Sequence, residues 1–287
     1  MKILTFKPNE KVPLNRTCIV RGFAIEPKEP FKLPPDDPIS IPGNNFNFVM
    51  QERENIIQNF PLALADRRYV FTSYMESAVF KYVRPFVLRG GTLLKFESKI
   101  DCDFLLYVNF IKDKDVDKYI QEKQLDSLEP TRIRCESIPT NSLLGLISIE
   151  NDARLISIGF GIPIQITTLP TIPEPRWWPV SIGAGEGEWF YYPRVMQPDI
   201  RGRIKLSGSK YEFWDASFRP FSLLIGDIQE GRRHVLKGVI VNPGKGKLFK
   251  RFDIIQISLE RSINDLNATR TETKYGKLHV IVEYVFI

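Results

Sequence analysis

The sequence predicts a mostly β protein: one or two antiparallel β-sandwich or jelly-roll lobes with a single short helical insertion. Three observations carry that prediction. Aromatic residues make up 12% of the 287 residues, twenty of them Phe, a composition that favours pleated surfaces over helices. Prolines (21) and glycines (18) are spread along the chain and leave room only for short elements. Finally, runs such as Leu93–Ser98 place Leu94, Phe96 and Ser98 on one face and Leu93, Lys95 and Glu97 on the other.

Residues 1–45 combine apolar bursts (Cys18–Val20, Phe23–Ile25) with prolines at 27, 30, 34, 35, 38 and 42, and read as an N-terminal arm or loop. Proline fixes φ and removes a backbone donor, which keeps such a stretch out of a sheet interior. A first sandwich lobe is expected over 46–170. Within it, Ile56, Ile57 and Phe60 have the spacing of a short helix ended by Pro61. The stretch 67–91 reads as strand-rich, and Phe104–Ile111 as a strand covered on both faces. KDKDVDKYIQEKQL carries Val116, Tyr119 and Ile120 as a narrow stripe and predicts a helix near 113–125. Its DKDVD spacing is calcium-like only in outline, because the turn glycine and the closing glutamate are missing. Strands resume at TRIRCESI, SLLGLISIE and RLISIGFGIPIQITTL.

Residues 171–194 form a Pro/aromatic connection, and 195–287 a second β lobe. That lobe has strands at GRIKLSG, PFSLLIGDI, HVLKGVIVN, FDIIQISLE and KLHVIVEYVFI, and turns at SGS, NPGKG and INDLNA. GGTLLKFESK at 90–99 echoes RGRIKLSGSK at 201–210 with an offset of 111 residues, which raises the question of an internal duplication.

No catalytic constellation emerges. His234 and His279 are the two histidines, both inside strand-like runs, and no GxSxG, HExxH or CxxC motif is present. Cys18, Cys102 and Cys135 are too scattered for a disulfide framework or a metal cluster. GAGEG at 183–187 lacks the third glycine of a dinucleotide loop. The lysine of Gly244-Lys245 has neither P-loop spacing nor a following Ser or Thr. Glu186 and Glu188, two apart beside Trp189, have the spacing of a hydrolytic carboxylate pair, but such pairs are common by accident. No cofactor and no metal are expected. The apolar runs fall short of the ~20 residues of a membrane span, and the N-terminus does not read as a signal peptide.

The densest chemistry is aromatic. Trp177, Trp178, Trp189 and Tyr191 lie in PEPRWWPVSIGAGEGEWFYYPR, a stretch suited to packing against another protein surface or to stacking on sugar rings. A net charge of +6 is mild, and Lys245, Lys247, Lys250 and Arg251 make weak nucleic-acid contact an option. Together these features point to a non-enzymatic, self-assembling structural protein. The expected role is a capsid, decoration or tail subunit of a virus or phage particle, homo-oligomeric and in contact with other particle proteins. Its expected location is the virion, assembled in the host cytoplasm. The alternative is a carbohydrate-binding β-sandwich that stacks sugars on Trp177 and Trp189.

Overall fold

A computed structural model describes residues 1–28, 45–51, 54–65, 80–123, 129–161, 164–166, 202–207, 212–218, 239–240, 247–251, 253–269, 273–275 and 277–287. They form a mostly β protein built from antiparallel sheets. The first eight strands are β1 (Lys2–Phe6), β2 (Lys11–Pro13), β3 (Cys18–Pro27), β4 (Asn45–Met50), β5 (Glu54–Pro61), β6 (Phe80–Leu88), β7 (Leu93–Glu97) and β8 (Cys102–Phe110). The short helix α1 (Leu62–Ala65) follows β5. One sheet runs β1-β8-β3-β6 and the facing one β2-β7-β4-β5. That pattern, 1-8-3-6 against 2-7-4-5, is an eight-stranded jelly roll.

The chain continues through a 3-10 turn (Asp113–Asp115) and α2 (Val116–Glu122), where the helical insertion was expected. It then builds β9 (Arg132–Ile138), β10 (Leu144–Ser148), β11 (Ala153–Gly161), β12 (Ile164–Ile166), β13 (Gly202–Ser207), β14 (Glu212–Phe218), β15 (Val239–Ile240), β16 (Lys247–Phe249) and β17 (Ile254–Leu259). The helix α3 (Ile263–Ala268) and strands β18 (Thr273–Tyr275) and β19 (Leu278–Phe286) complete it. Here the orders are β9-β19-β11-β15 and β10-β17-β13-β14, with β16 also pairing β11. Numbered along this half, with β15 and β16 sharing the sixth place and the β12–β18 pair set aside, the pattern is again 1-8-3-6 against 2-7-4-5. The chain therefore holds two jelly rolls in tandem.

The two rolls share a sheet. β5 pairs β9 in parallel at Ile57–Ile133 and Gln58–Arg134, which joins both halves into one nine-stranded sheet. The first core draws on Phe6, Phe23, Phe48, Phe96 and Phe104, with Ile133, Cys135 and Ile281 from the shared strands. The second takes Ile138, Phe160, Ile257, Val280, Val282 and Tyr284. On β19, Ile281 therefore faces the first core while Val280 and Val282 face the second, as strand alternation requires. The overlying sheets sit on opposite faces of the shared one.

The abundant phenylalanine fills the first roll. Phe104 stacks on Phe48 at 4.5 Å, Phe96 at 5.2 Å and Phe23 at 5.7 Å between ring centroids, and Phe6 approaches at 6.2 Å. Rings at such separations add attraction beyond their burial.

Several expectations need correction. Residues 2–27 are three paired strands, because the apolar bursts Cys18–Val20 and Phe23–Ile25 supply buried core; positions 29–44 lie outside the described residues. The helix expected around Ile56–Phe60 is β5. Register slips against β4, with Asn59 at φ 55°, bury Ile56, Ile57 and Phe60 together, so a bulged strand imitates helical spacing. INDLNA is α3 rather than a turn, started by a reciprocal Ser262–Asp265 capping box. The cores divide at β9; the expected 171–194 connection lies outside the described residues. The echoing decapeptides span β7 and β13, the seventh and fourth strands of their rolls, so the echo is not the register of the repeat.

Replacing Phe104 by Ala is expected to destabilise the protein by roughly 3–5 kcal/mol, as for other buried Phe truncations, read as a lower urea midpoint. Unchanged stability would show that the stacked cluster does not hold the first roll together.

Candidate functional site

None of Trp177, Trp178, Trp189 and Tyr191 is among the described residues, nor are Glu186, Glu188 and His234. Of the basic cluster, Lys245 lies outside as well, Lys247 belongs to β16, and Lys250 and Arg251 are exposed in the turn before β17. Asp253 and Asp152 hold that turn, accepting from the Lys250 N–H at 2.8 Å and the Arg251 N–H at 3.0 Å.

The reactive side chains that are described are interior. Burial pushes the Cys18 thiol up to about 12 and Cys135 well above its ordinary value, so neither is a ready nucleophile. His279 is buried on β19, with Nδ1 2.9 Å from the Ser137 hydroxyl; burial, reinforced by Lys277, lowers its pKa to about 4. Glu283, two strand steps further on the same face, is carried the other way by burial, to about 8. Both are neutral near pH 7. Among the described residues no group of three or more His, Cys, Asp or Glu side chains is placed to hold a metal ion.

The surface offers a different feature, at the edge of the β10-β17-β13-β14 sheet. Leu143, Leu144 and Leu146 are about half exposed (50%, 45% and 59%), and Ile254, across from Ser148, is 40% exposed. Gly145 and Ile147 take the inward positions, and a Cβ on Gly145 would meet the Ile138 side chain at 2.7 Å. The Leu259 N–H donates to the Leu143 carbonyl at 2.8 Å. By antiparallel alternation, the backbone groups of Leu144, Leu146 and Ser148 then point away from β17. The Ser142 hydroxyl donates to the Leu144 carbonyl at 2.8 Å and accepts its N–H at 3.1 Å. The groups of Leu146 and Ser148 remain directed outward, and among the described residues β10 pairs on one side alone.

Three other sheet margins carry devices that discourage pairing with foreign strands. β2 is three residues long, with Lys11 and Pro13; β1 begins with Lys2; β6 contains Pro85 at a register break. β10, Leu-Gly-Leu-Ile-Ser, has no charge and no proline. The sequence showed a strand there. Its edge position depends on which strands the fold places beside it.

Comparison of the sequence with protein families and with curated proteins found no match. Among solved structures the chain is similar to one from "Life in the extremes: atomic structure of Sulfolobus Turreted Icosahedral Virus", at 8% identity and a TM-score of 0.38. The match covers 100% of this chain and 91% of that one. It is similar also to "Crystal Structure of the STIV MCP", at 9% identity and a TM-score of 0.33, covering 100% and 97%.

A pH dependence follows from His279. Its folded pKa is depressed, so the unfolded chain binds the proton more readily, and this group's own contribution to stability falls as pH drops from about 6.5 to about 4, opposed down to about 4.5 by that of Glu283. In His279→Gln that acid-side decline is expected to flatten, measured as thermal midpoint against pH. An unchanged slope would assign the decline to other groups.

Proposed function

We propose that the chain is a non-enzymatic structural subunit that assembles with copies of itself and with other proteins of a virus or phage particle. The observation that carries this reading is the tandem repetition of one jelly-roll strand order around a shared sheet. Jelly rolls are common in viral shells and in sugar-binding domains. Fusing two through a continuous sheet makes a thick block whose relative orientation is fixed by backbone hydrogen bonds. A shell subunit needs that rigidity, because small angular errors accumulate over many copies. Fold alone does not assign function; the uncharged β10 edge adds a contact surface suited to protein rather than to a small ligand. Titratable groups held neutral inside the rolls fit a scaffold better than a reaction centre.

On this reading the protein acts in the virion after assembly in the host cytoplasm, and Lys250 and Arg251 support weak contact with nucleic acid. The test is molar mass by light scattering over a concentration and salt series, with large species imaged by electron microscopy. Discrete oligomers, rings or shells are expected. A protein that stays monomeric with its partner proteins present, and whose tryptophan fluorescence responds to an oligosaccharide, would replace the proposal with glycan binding.

The edge itself is tested by Leu146→Lys, which places a charge of the kind that protects natural edges. The substitution is expected to leave the free energy of unfolding within about 0.5 kcal/mol of the parent, as exposed substitutions do, and to reduce the assembled fraction severalfold. Undiminished assembly would remove β10 from the contact.

A further inference from the structure

One buried polar cluster stands apart from the apolar cores. It lies where the edge strand of the first roll meets the last strand of the second. β6 and β3 are in register at Val20–Phe86 and at Gly22–Lys81, so four residues of β6, Tyr82 to Pro85, intervene where β3 has one. Such a break strips the backbone of its ladder partners, and the missing acceptor comes from β19. Glu283 Oε2 accepts the Val83 N–H at 3.0 Å, and the Arg84 N–H and the Ser157 hydroxyl also bond the carboxyl. Oε1 is buried with no hydrogen-bond partner among the described residues. The carbonyl of Arg84 is fastened separately, by the Thr131 hydroxyl at 2.7 Å.

We propose that Glu283 is a proton-controlled latch: as a neutral acid it holds the Tyr82–Arg84 segment of β6 against the shared sheet, and on ionising it lets that segment lift. The charged form has little to sustain it in place. On β6 the neighbouring groups are Tyr82, whose hydroxyl is itself held neutral by burial, and Arg84. The Arg84 guanidinium is directed elsewhere, donating at 3.2 Å to both the Glu129 carbonyl and the Thr131 hydroxyl. On β11, Ser157 stands opposite Glu283 and Arg154 opposite Val285. On β9 the facing residue is Ile133, with Cys135 beyond it, its thiol held neutral by burial, and Glu129 and Thr131 before the strand. On β19 itself His279 is roughly 13 Å back along the strand and uncharged above about pH 4.

The three hydrogen bonds favour the ionised form, yet burial outweighs them and holds the group protonated up to about 8. The folded pKa lies above its ordinary 4.5, so this group's stabilisation is full at acid pH and is lost as pH rises through about 8. Residues 82–84 cover the carboxyl, so lifting them is the shortest route by which the charge regains water.

The test is backbone amide exchange followed by mass spectrometry on the full chain from pH 6.5 to 9.5, corrected for intrinsic rates. Protection of residues 82–88 is expected to fall at least tenfold across that range, since each pH unit below the folded pKa of about 8 favours the opened, ionised form by roughly tenfold, and to level off above it. Protection of β17, in the other core, is expected to hold. Glu283→Gln, which keeps an acceptor for the Val83 N–H and has no charge to acquire, is expected to give a flat profile at 82–88. A flat wild-type profile would overturn the latch. So would an equal loss in β17, which would mean global unfolding, or an unchanged pH response in the Gln variant. Should that variant fail to fold, the wild-type contrast between 82–88 and β17 decides alone.

Discussion

The molecule depends on β19 being buried on both faces. Its odd-numbered side chains, Ile281 and Glu283, look toward the first roll, and its even-numbered ones, Leu278, Val280, Val282 and Tyr284, fill the second core. It is hydrogen-bonded on both edges, to β9 and to β11. A strand so enclosed has no solvent side on which to place a polar residue cheaply, and its sequence is accordingly almost continuous apolar residues. The first roll cannot complete its margin, nor the second its sheet, without this C-terminal segment. The parallel β5–β9 pairing extends the same constraint, because it turns two sandwiches into one block.

That arrangement puts pressure on edges and seams. Where β6 breaks register, the backbone donors of Val83 and Arg84 meet a carboxyl supplied across the seam. Where β5 bulges against β4, the Asn59 N–H finds the Asn47 side chain at 2.8 Å. Each irregularity is satisfied by a side chain from another strand, in the interior at the β6 seam and on the exposed surface at Asn59. β10 is the contrast: an uncharged strand with two leucines turned outward and a third, Leu143, exposed just before it. Among the described residues, seams closed by side-chain acceptors and an apolar edge at β10 are the features on which the proposed assembly rests.

The sequence by itself determined the class of structure. Short, proline-punctuated runs with period-two patterning can bury a face only as sheets, and so many phenylalanines need a core between two sheets to hide in. The strands from 93 to 161 and the helix near 113–125 were legible for that reason. Sequence patterning did not single out Glu283, the one acid within LHVIVEYVF, because its partner, the backbone of β6, lies 200 residues away. Tertiary structure decided the rest. Bulges placed Ile56, Ile57 and Phe60 on one side and disguised a strand as a helix. Strand order, set by which apolar faces meet in space, recruited residues 2–27 into the first roll, made β10 an edge and repeated the jelly roll. It did so without repeating the sequence, because a pleated core requires only that apolar side chains of suitable volume recur at alternate positions.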